Sequence, residues 1–270
     1  MEYCIAKPSF PLSKYVKQYW TIENCLLEEG NEHIQRIVPN GLSELIFYLR
    51  NKPISDDSDK WFSDPATLSG QLSKFYDIRV TGSLLVFSVL FKPHGLAMFF
   101  DLPVHELHDR CVPLRFVFKK KVDELENRLA EANSFAARIR IVEFYLLSLL
   151  EKKRNQNYFQ RIEHSVTLIN QSRGVANIDF LASEACLSRK QFERIFSYQV
   201  GTSPKQFMKI VRFQHVLEEK AQNKNMGLID LTHKCGFYDQ SHMINNFKEL
   251  SGLSPKQYFN ECEPYSDYFQ

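Results

Sequence analysis

The chain has 270 residues, 44% hydrophobic and 24% charged, with a net charge of +2. That length accommodates two domains of ordinary size, and the balance is that of a globular protein rather than a disordered or collagen-like one. The six cysteines lie far apart with no CxxC pair, which argues against a zinc ribbon or a disulfide framework and for reduced thiols. The first residues, MEYCIAKPSF, show no basic stretch followed by an apolar run, and the most apolar segment, Leu84–Phe91, has eight residues, too few to span a bilayer. No membrane association and a cytoplasmic location are expected.

Residues 1–118 read as a β-rich domain. Aromatic and β-branched runs at Tyr15–Ile22, His33–Val38, Glu44–Leu49 and Leu84–Phe91 predict strands, and Pro39–Gly41 is a turn between two of them. Asn51–Lys60 is polar and acidic, the composition of a loop. After Lys92–Gly95, the stretch to Asp109 predicts two short helices.

The period changes in residues 119–157. Val122, Leu125 and Leu129 are three and four apart, and Phe135, Ile139, Val142, Leu146, Leu149 and Leu150 continue that spacing after Asn133-Ser134, where Ser134 is positioned as a cap. Two amphipathic helices follow. They either pack on the first domain or pair between two protomers, and pairing into a homodimer is the favoured expectation. Glu151–Asn157 reads as a polar linker. Residues 158–262 read as helix throughout, in segments near Tyr158–Arg173, Ile178–Ala185, Arg189–Tyr198, Pro204–Gln222, Gly227–Cys235, Gln240–Leu250 and Pro255–Asn260, with 263–270 a tail. The expected fold class is therefore α+β, a β-rich domain followed by an all-α domain. The 158–262 segment holds 13 Lys/Arg against 10 Asp/Glu, a mild excess compatible with a phosphate-binding surface.

The helical half repeats itself. GTSPKQF at Gly201–Phe207 recurs as GLSPKQY at Gly252–Tyr258, 51 positions on, and Leu181–Ser188 aligns with Leu231–Tyr238 at an offset of 50. The extra residue of the second unit falls in its turn, near Asp239. Each unit is a short helix, a tight turn and a second helix with apolar residues (Phe192, Ile195, Phe196; Met243, Ile244, Phe247) toward a core. That is a helix-turn-helix, which lays its second helix in the DNA major groove. Gly236 marks the second turn, where a positive φ carries no Cβ penalty; Cys186 stands in its place in the first. In the repeated phrase Gly ends the recognition helix, Ser203 or Ser254 caps the next helix, and Pro204 or Pro255 occupies its first position. Free N–H groups at such a start, with Lys205 and Gln206 or Lys256 and Gln257, form a seat for a backbone phosphate.

The stretch Phe159–Phe259 thereby resembles the DNA-binding domain of AraC/XylS family transcription regulators, on LASEACLSRKQFERIFSYQVGTSPKQF and IDLTHKCGFYDQSHMINNFKELSGLSPKQYF joined by a helix containing IVRFQHVLEEKAQ. The resemblance implies two helix-turn-helix units on a long rigid helix, reaching major-groove segments about 34 Å apart. It implies double-stranded DNA and RNA polymerase as partners. It places Arg189, Lys190, Gln191 and Arg194 of the first recognition helix, and Gln240, Ser241, His242, Asn245 and Asn246 of the second, at base edges. Arg and Lys suit guanine, Gln and Asn suit adenine. Arg194 has an alternative role in tying the bundle together. Asn245 stands where the family usually has Arg, and Thr232 where it has a small residue, so the first unit is expected to dominate affinity.

The first domain more loosely resembles N-terminal regions attached to such regulators, on Tyr19-Trp20, Val38–Gly41, Ser69–Gln71 and Leu90–Leu114. The resemblance implies a small-molecule effector, dimerisation, or both. Tyr19, Trp20, Phe47, Phe87 and Phe91 are candidates to line an effector pocket, with plain core as the alternative for residues alternating along strands. An enzyme is not expected. His105 and His108 form an HxxH near His94, but no third ligand is evident and no metal or cofactor is expected. Some regulators of the family transfer alkyl groups onto a reactive cysteine, which needs a thiolate activated by basic or His neighbours; Cys25 in ENCLL and Cys111 in DRCVP lack a convincing surrounding motif. A non-DNA helical adaptor, or a first domain with metal-binding or enzymatic activity, are the alternative readings. Activation and repression are not distinguished.

Overall fold

The computed structural model describes residues 2–24, 33–55, 64–118, 122–150 and 158–261. The linker 151–157, the tail 263–270, Cys25, Cys262 and half of the acidic loop lie outside them. Among the described residues the first domain has nine strands: β1 (Glu2–Ala6), β2 (Val16–Asn24), β3 (His33–Ile37), β4 (Glu44–Tyr48), β5 (Ile54–Ser55), β6 (Ala66–Ser69), β7 (Tyr76–Val80), β8 (Leu84–Phe91) and β9 (Cys111–Pro113). They form two antiparallel sheets, one of six strands in the order β1-β2-β8-β4-β6-β9 and one of three in the order β3-β7-β5. The strands β1, β5, β6, β7 and β9 carry no sequence signal of their own, being short or polar, and exist because longer neighbours offer them an edge.

Side-chain alternation splits the large sheet into two faces. Trp20 and Ile22, Ile46 and Tyr48, and Leu84 and Val86 face the small sheet and pack with Ile78 and Val80. Tyr19, Leu45, Phe47, Phe87, Val89 and Phe91 face the other way, into the main core. That second face is closed by two 3₁₀ turns at Leu96–Met98 and Val104–Leu107, matching the two short helices expected there, and by three helices: α1 (Leu114–Val117), α2 (Val122–Glu131) and α3 (Phe135–Leu150). Ser134 caps α3 as its sequence position implied, its Oγ accepting from Ala137 N at 3.2 Å. Val122, Leu125, Leu129, Val142 and Leu146 are buried in this core of their own chain. The apolar stripe is thus taken up by the β domain, which is the packing that the spacing left open.

Seven helices follow among the described residues: α4 (Phe159–Gln171), α5 (Ile178–Glu184), α6 (Arg189–Val200), α7 (Pro204–Gln222), α8 (Leu228–Lys234), α9 (Gln240–Ser251) and α10 (Pro255–Glu261). They hold two cores. One gathers Ile162, Val166, Leu181, Phe192, Phe196 and Phe207; the other gathers Phe213, Val216, Leu231, Met243, Phe247 and Tyr258. The long helix α7 contributes Phe207 and Met208 to the first and Ile210, Phe213, Val216 and Leu217 to the second, so the two units share one rigid axis. Among the described residues no helix is long and apolar enough to cross a membrane.

Candidate nucleic-acid interface

The recognition helices α6 and α9 are fixed at both ends by the local chemistry of the repeat. Ser188 and Gln191 form a capping box at the start of α6, and Asp239 accepts from His242 N at 2.7 Å at the start of α9. Asp239 takes the capping place that Ser188 has in the first unit, so the extra residue of the second unit lies between Gly236 and this cap. Each helix ends on a left-handed glycine, Gly201 at φ 96° and Gly252 at φ 76°. The turns before them both use a left-handed residue: Gly236 at φ 68° and, in the first unit, Cys186 at φ 51°. Arg161 steadies that strained turn by donating to the carbonyls of Ala185 and Cys186 at 3.1 and 3.3 Å. Thr232 fits where a smaller side chain is usual because its hydroxyl donates to Leu228 O at 2.7 Å.

Burial sorts the predicted base contacts. Phe192 and Phe196, then Met243 and Phe247, are buried, which turns Arg189, Lys190, Gln191 and Arg194, and Ser241, His242 and Asn245, outward; Gln240 and Asn246 are half-buried. Arg194 is exposed and makes no hydrogen bond or ion pair among the described residues, so it does not tie the bundle. Arg189 is not free: it bonds Glu193 at 3.2 Å and Asp179 at 3.3 Å. The hydrogen bond to Glu193 and the charge of Asp179 hold its guanidinium above the ordinary range. Gln191 is engaged in the capping box, and Asn246 Nδ2 donates to His242 O at 2.8 Å. The His242 ring lies edge-on to Phe237 with centroids 5.5 Å apart.

A cleft of about 800 Å³ runs between the units and brings together Arg189, Ser203, Lys205, Gln206, His242 and Asn246. Arg189 lines it from the first recognition helix and His242 and Asn246 from the second, and the first copy of the repeated phrase lines it between them in sequence. Ser254, Lys256 and Gln257 are not part of this cleft. The serines of the phrase are spent on helix caps: Ser203 Oγ accepts from Gln206 N at 3.2 Å, and Ser254 Oγ from Gln257 N at 3.3 Å. What remains for an anion is the first-turn N–H groups and the exposed ammonium groups of Lys205 and Lys256.

Residues 181–261 match the model of a family described as a helix-turn-helix domain. The C-terminal part of the chain, residues 181–261, is thus an AraC-type helix-turn-helix domain. Residues 5–113 match a second family, described as a domain of unknown function (DUF6597). The chain is 28% identical over 141 residues to an uncharacterized HTH-type transcriptional regulator of Haemophilus influenzae, covering 52% of this chain and 45% of the relative. It is 30% identical over 105 residues to the HTH-type transcriptional regulator MtrA of Neisseria gonorrhoeae, covering 38% and 34%. It spans less than half the length of these relatives. A solved structure of ToxT from Vibrio cholerae superposes with a TM-score of 0.47 at 8% identity, over 96% of this chain and 98% of that one.

The β domain grips the AraC-type domain at the far ends of both recognition helices, a feature sequence reasoning missed. Buried Gln71 donates from Nε2 to Val200 O, the last carbonyl of α6, at 2.8 Å. Arg36 donates to Ser251 O, the last carbonyl of α9, at 3.1 Å, while its other nitrogens hold Asp77 at 2.7 and 2.8 Å and its guanidinium lies 4.4 Å over the Phe75 ring. Side chains of the β domain cover the glycines next to these carbonyls: a Cβ on Gly201 would come within 3.0 Å of Val104, and one on Gly252 within 2.3 Å of Phe75. The same ring of contacts includes Gln214 Nε2, which donates to Pro39 O at 2.7 Å, and Val38, which enters the second helical core. Two motifs of the first domain, Val38–Gly41 and Ser69–Gln71, are therefore docking elements. The signal was present in the sequence as phrases without a role.

The expected effector lining divides. Trp20 lines a cavity of about 80 Å³ between the two sheets, whereas Tyr19, Phe47, Phe87 and Phe91 belong to the core on the opposite face. Adjacent residues of one strand, Tyr19 and Trp20, point to opposite faces, so they could not both line one pocket. His105 lies beside Tyr198, with ring centroids 6.2 Å apart, and His108 Nε2 is 3.6 Å from Asp109. His94 packs edge-on to Phe159 at 5.2 Å, and burial pushes its imidazole down to about 4. Among the described residues no three His, Cys, Asp or Glu side chains form a metal-binding group.

Proposed function

We propose that the chain is a sequence-specific DNA-binding transcription regulator whose AraC-type domain reads two successive major-groove segments. One observation carries the reading: two helix-turn-helix units on one rigid helix present their polar helix starts to a shared cleft. In this reading Arg194 and Lys190 are the principal cations of the first helix. Arg189 contributes after exchanging its carboxylate partners for DNA, and Gln191 stays with its cap. Gln240, Ser241, His242, Asn245 and Asn246 supply the second, neutral set, and Lys205 and Lys256 hold phosphates. The β domain is the sensing part, with an effector site at the cavity beside Trp20. RNA polymerase contact and a homodimer complete the proposed partnership, and no catalytic step is assigned. Gel shift over a salt series tests the reading: binding that weakens steeply with salt is expected, and absence of salt-dependent binding refutes it.

A further inference from the structure

The cavity between the two sheets holds a carboxylate that the chain leaves uncompensated. Its walls are apolar over most of their area, from Ile22, Ile37, Ile46, Ile78 and Val86. Glu44 projects into it from the first position of β4 and is lodged against two neutral donors, Trp20 Nε1 at 2.6 Å and Ser88 Oγ at 2.5 Å. Both bonds end on Oε1 and neither uses Oε2. No Lys, Arg or His lines this cavity among the described residues. A buried carboxylate ordinarily has a cationic partner or enough donors to replace its water. Burial accordingly pushes the Glu44 carboxyl up to about 7, the two hydrogen bonds opposing that shift. Although so deeply placed, the residue keeps accessible area, and it lines the cavity.

We propose that this cavity binds a small apolar molecule carrying a protonated amine, with the ammonium on Glu44 and the alkyl body against the isoleucines. The size of the cavity, a few water molecules, sets the ligand at a short alkylamine or at one group of a larger amine. The ammonium supplies the charge that the walls lack and a donor for Oε2. The inference rests on the reading of the β domain as the sensing part and names the chemistry that it senses. The cavity also has a route outward. Val38 forms part of its wall and of the second helical core, Asn40 lines it, and Pro39 between them accepts the hydrogen bond from Gln214 of α7. A ligand that displaces this wall displaces the seat of α7.

The test uses Trp20 as its own reporter. In the full chain with Trp61→Phe, so that Trp20 is the single indole, fluorescence is titrated with a series from methylamine to benzylamine and with propanol and propionate as neutral and anionic counterparts. A saturable change with at least one amine is expected, weakened about tenfold or more for propanol, as loss of a charged hydrogen bond implies, and absent for propionate. Glu44→Gln, checked for folding by its melting curve, loses the amine response. Propanol or propionate binding as tightly as the amines overturns the proposal, as does a silent amine series or an undiminished response in a folded Glu44→Gln chain. The amine-over-alcohol preference is read in the unsubstituted cavity, so it decides the matter even where that variant fails to fold. DNA affinity with and without the amine is measured separately. Binding without any effect on DNA affinity keeps the site and removes its role as a sensor; absence of DNA binding refutes the regulator reading and leaves the amine result standing.

Discussion

Removing Gln71 tests whether the β domain holds the recognition helices by their ends. The Gln71 side chain is fully buried and its amide is the donor for Val200 O. Gln71→Ala leaves that carbonyl buried without a partner, a cost of about 1–3 kcal/mol. Arg36→Ala does the same to Ser251 O and also removes the packing on Phe75; with the Arg36 side chain 20% exposed, solvent replaces part of the loss and about 1 kcal/mol is expected. Hydrogen exchange on the full chain without DNA reads each clamp locally. Gln71→Ala should speed exchange in the α6 end, Ser197–Thr202, and Arg36→Ala in the α9 end, Lys248–Leu253. The expected factor is about 5–30 for each 1–2 kcal/mol lost. The double variant should also bind DNA more weakly, because two helices freed from a common support must be ordered again on binding. A folded double variant with wild-type exchange at both helix ends would refute the clamp, and unchanged DNA affinity would refute its role in pre-orientation.

Lys190→Ala and Arg194→Ala should each lower DNA affinity and reduce the slope of log affinity against log salt by about 1. Arg189→Ala should cost less, since Asp179 and Glu193 already share its charge; a larger loss for Arg189 than for Arg194 in the same gel shift would contradict this ranking. Glu44 makes stability depend on pH with a definite sign. Its folded value, about 7, lies above the ordinary 4.5, so the native state holds the extra proton and stability falls as pH rises between those values. The span corresponds to about 3 kcal/mol at 1.36 kcal/mol per unit. Urea melts at pH 5 and pH 8 should show that fall in the parent and lose most of it in Glu44→Gln; equal pH dependence in both would refute the assignment. Cys186→Gly should stabilise by up to about 1 kcal/mol by relieving a left-handed residue, whereas Gly236→Ala should destabilise by about as much, its Cβ meeting Val175 at 2.8 Å. Thermal melts separate the two, and the same sign for both would show that the turns are not equivalent.

The helical half was legible because its signals are local. Caps at Ser188 and Ser203, Pro204 at a first position and glycines at helix ends act over a few residues, and a doubled phrase confirms them against each other. The segment Pro204–Gln222 is observed with the predicted ends. The β domain was legible only where a strand is long and apolar, as at Leu84–Phe91, observed with the expected bounds. Ala66–Ser69 and Cys111–Pro113 become strands by pairing with partners distant in sequence, which no window of residues contains. For the DNA-contact residues, spacing indicated which face of each helix is outward. It did not indicate that Arg189 would be held by two carboxylates, since Asp179 comes from the preceding helix.

Sequence alone thus determined the two helix-turn-helix units, their caps and the outward polar faces, because backbone hydrogen bonding and helical period are decided within a turn or two. Tertiary structure alone decided that Tyr19 and Trp20 serve different faces and that Glu44 shares a cavity with Trp20. It also decided that the glycine ends of both recognition helices lie under Val104 and Phe75. The glycine contacts join residues far apart in the chain, and all these relations are set by how the sheets and helices of the described residues fill space together, which the order of residues along the chain does not state.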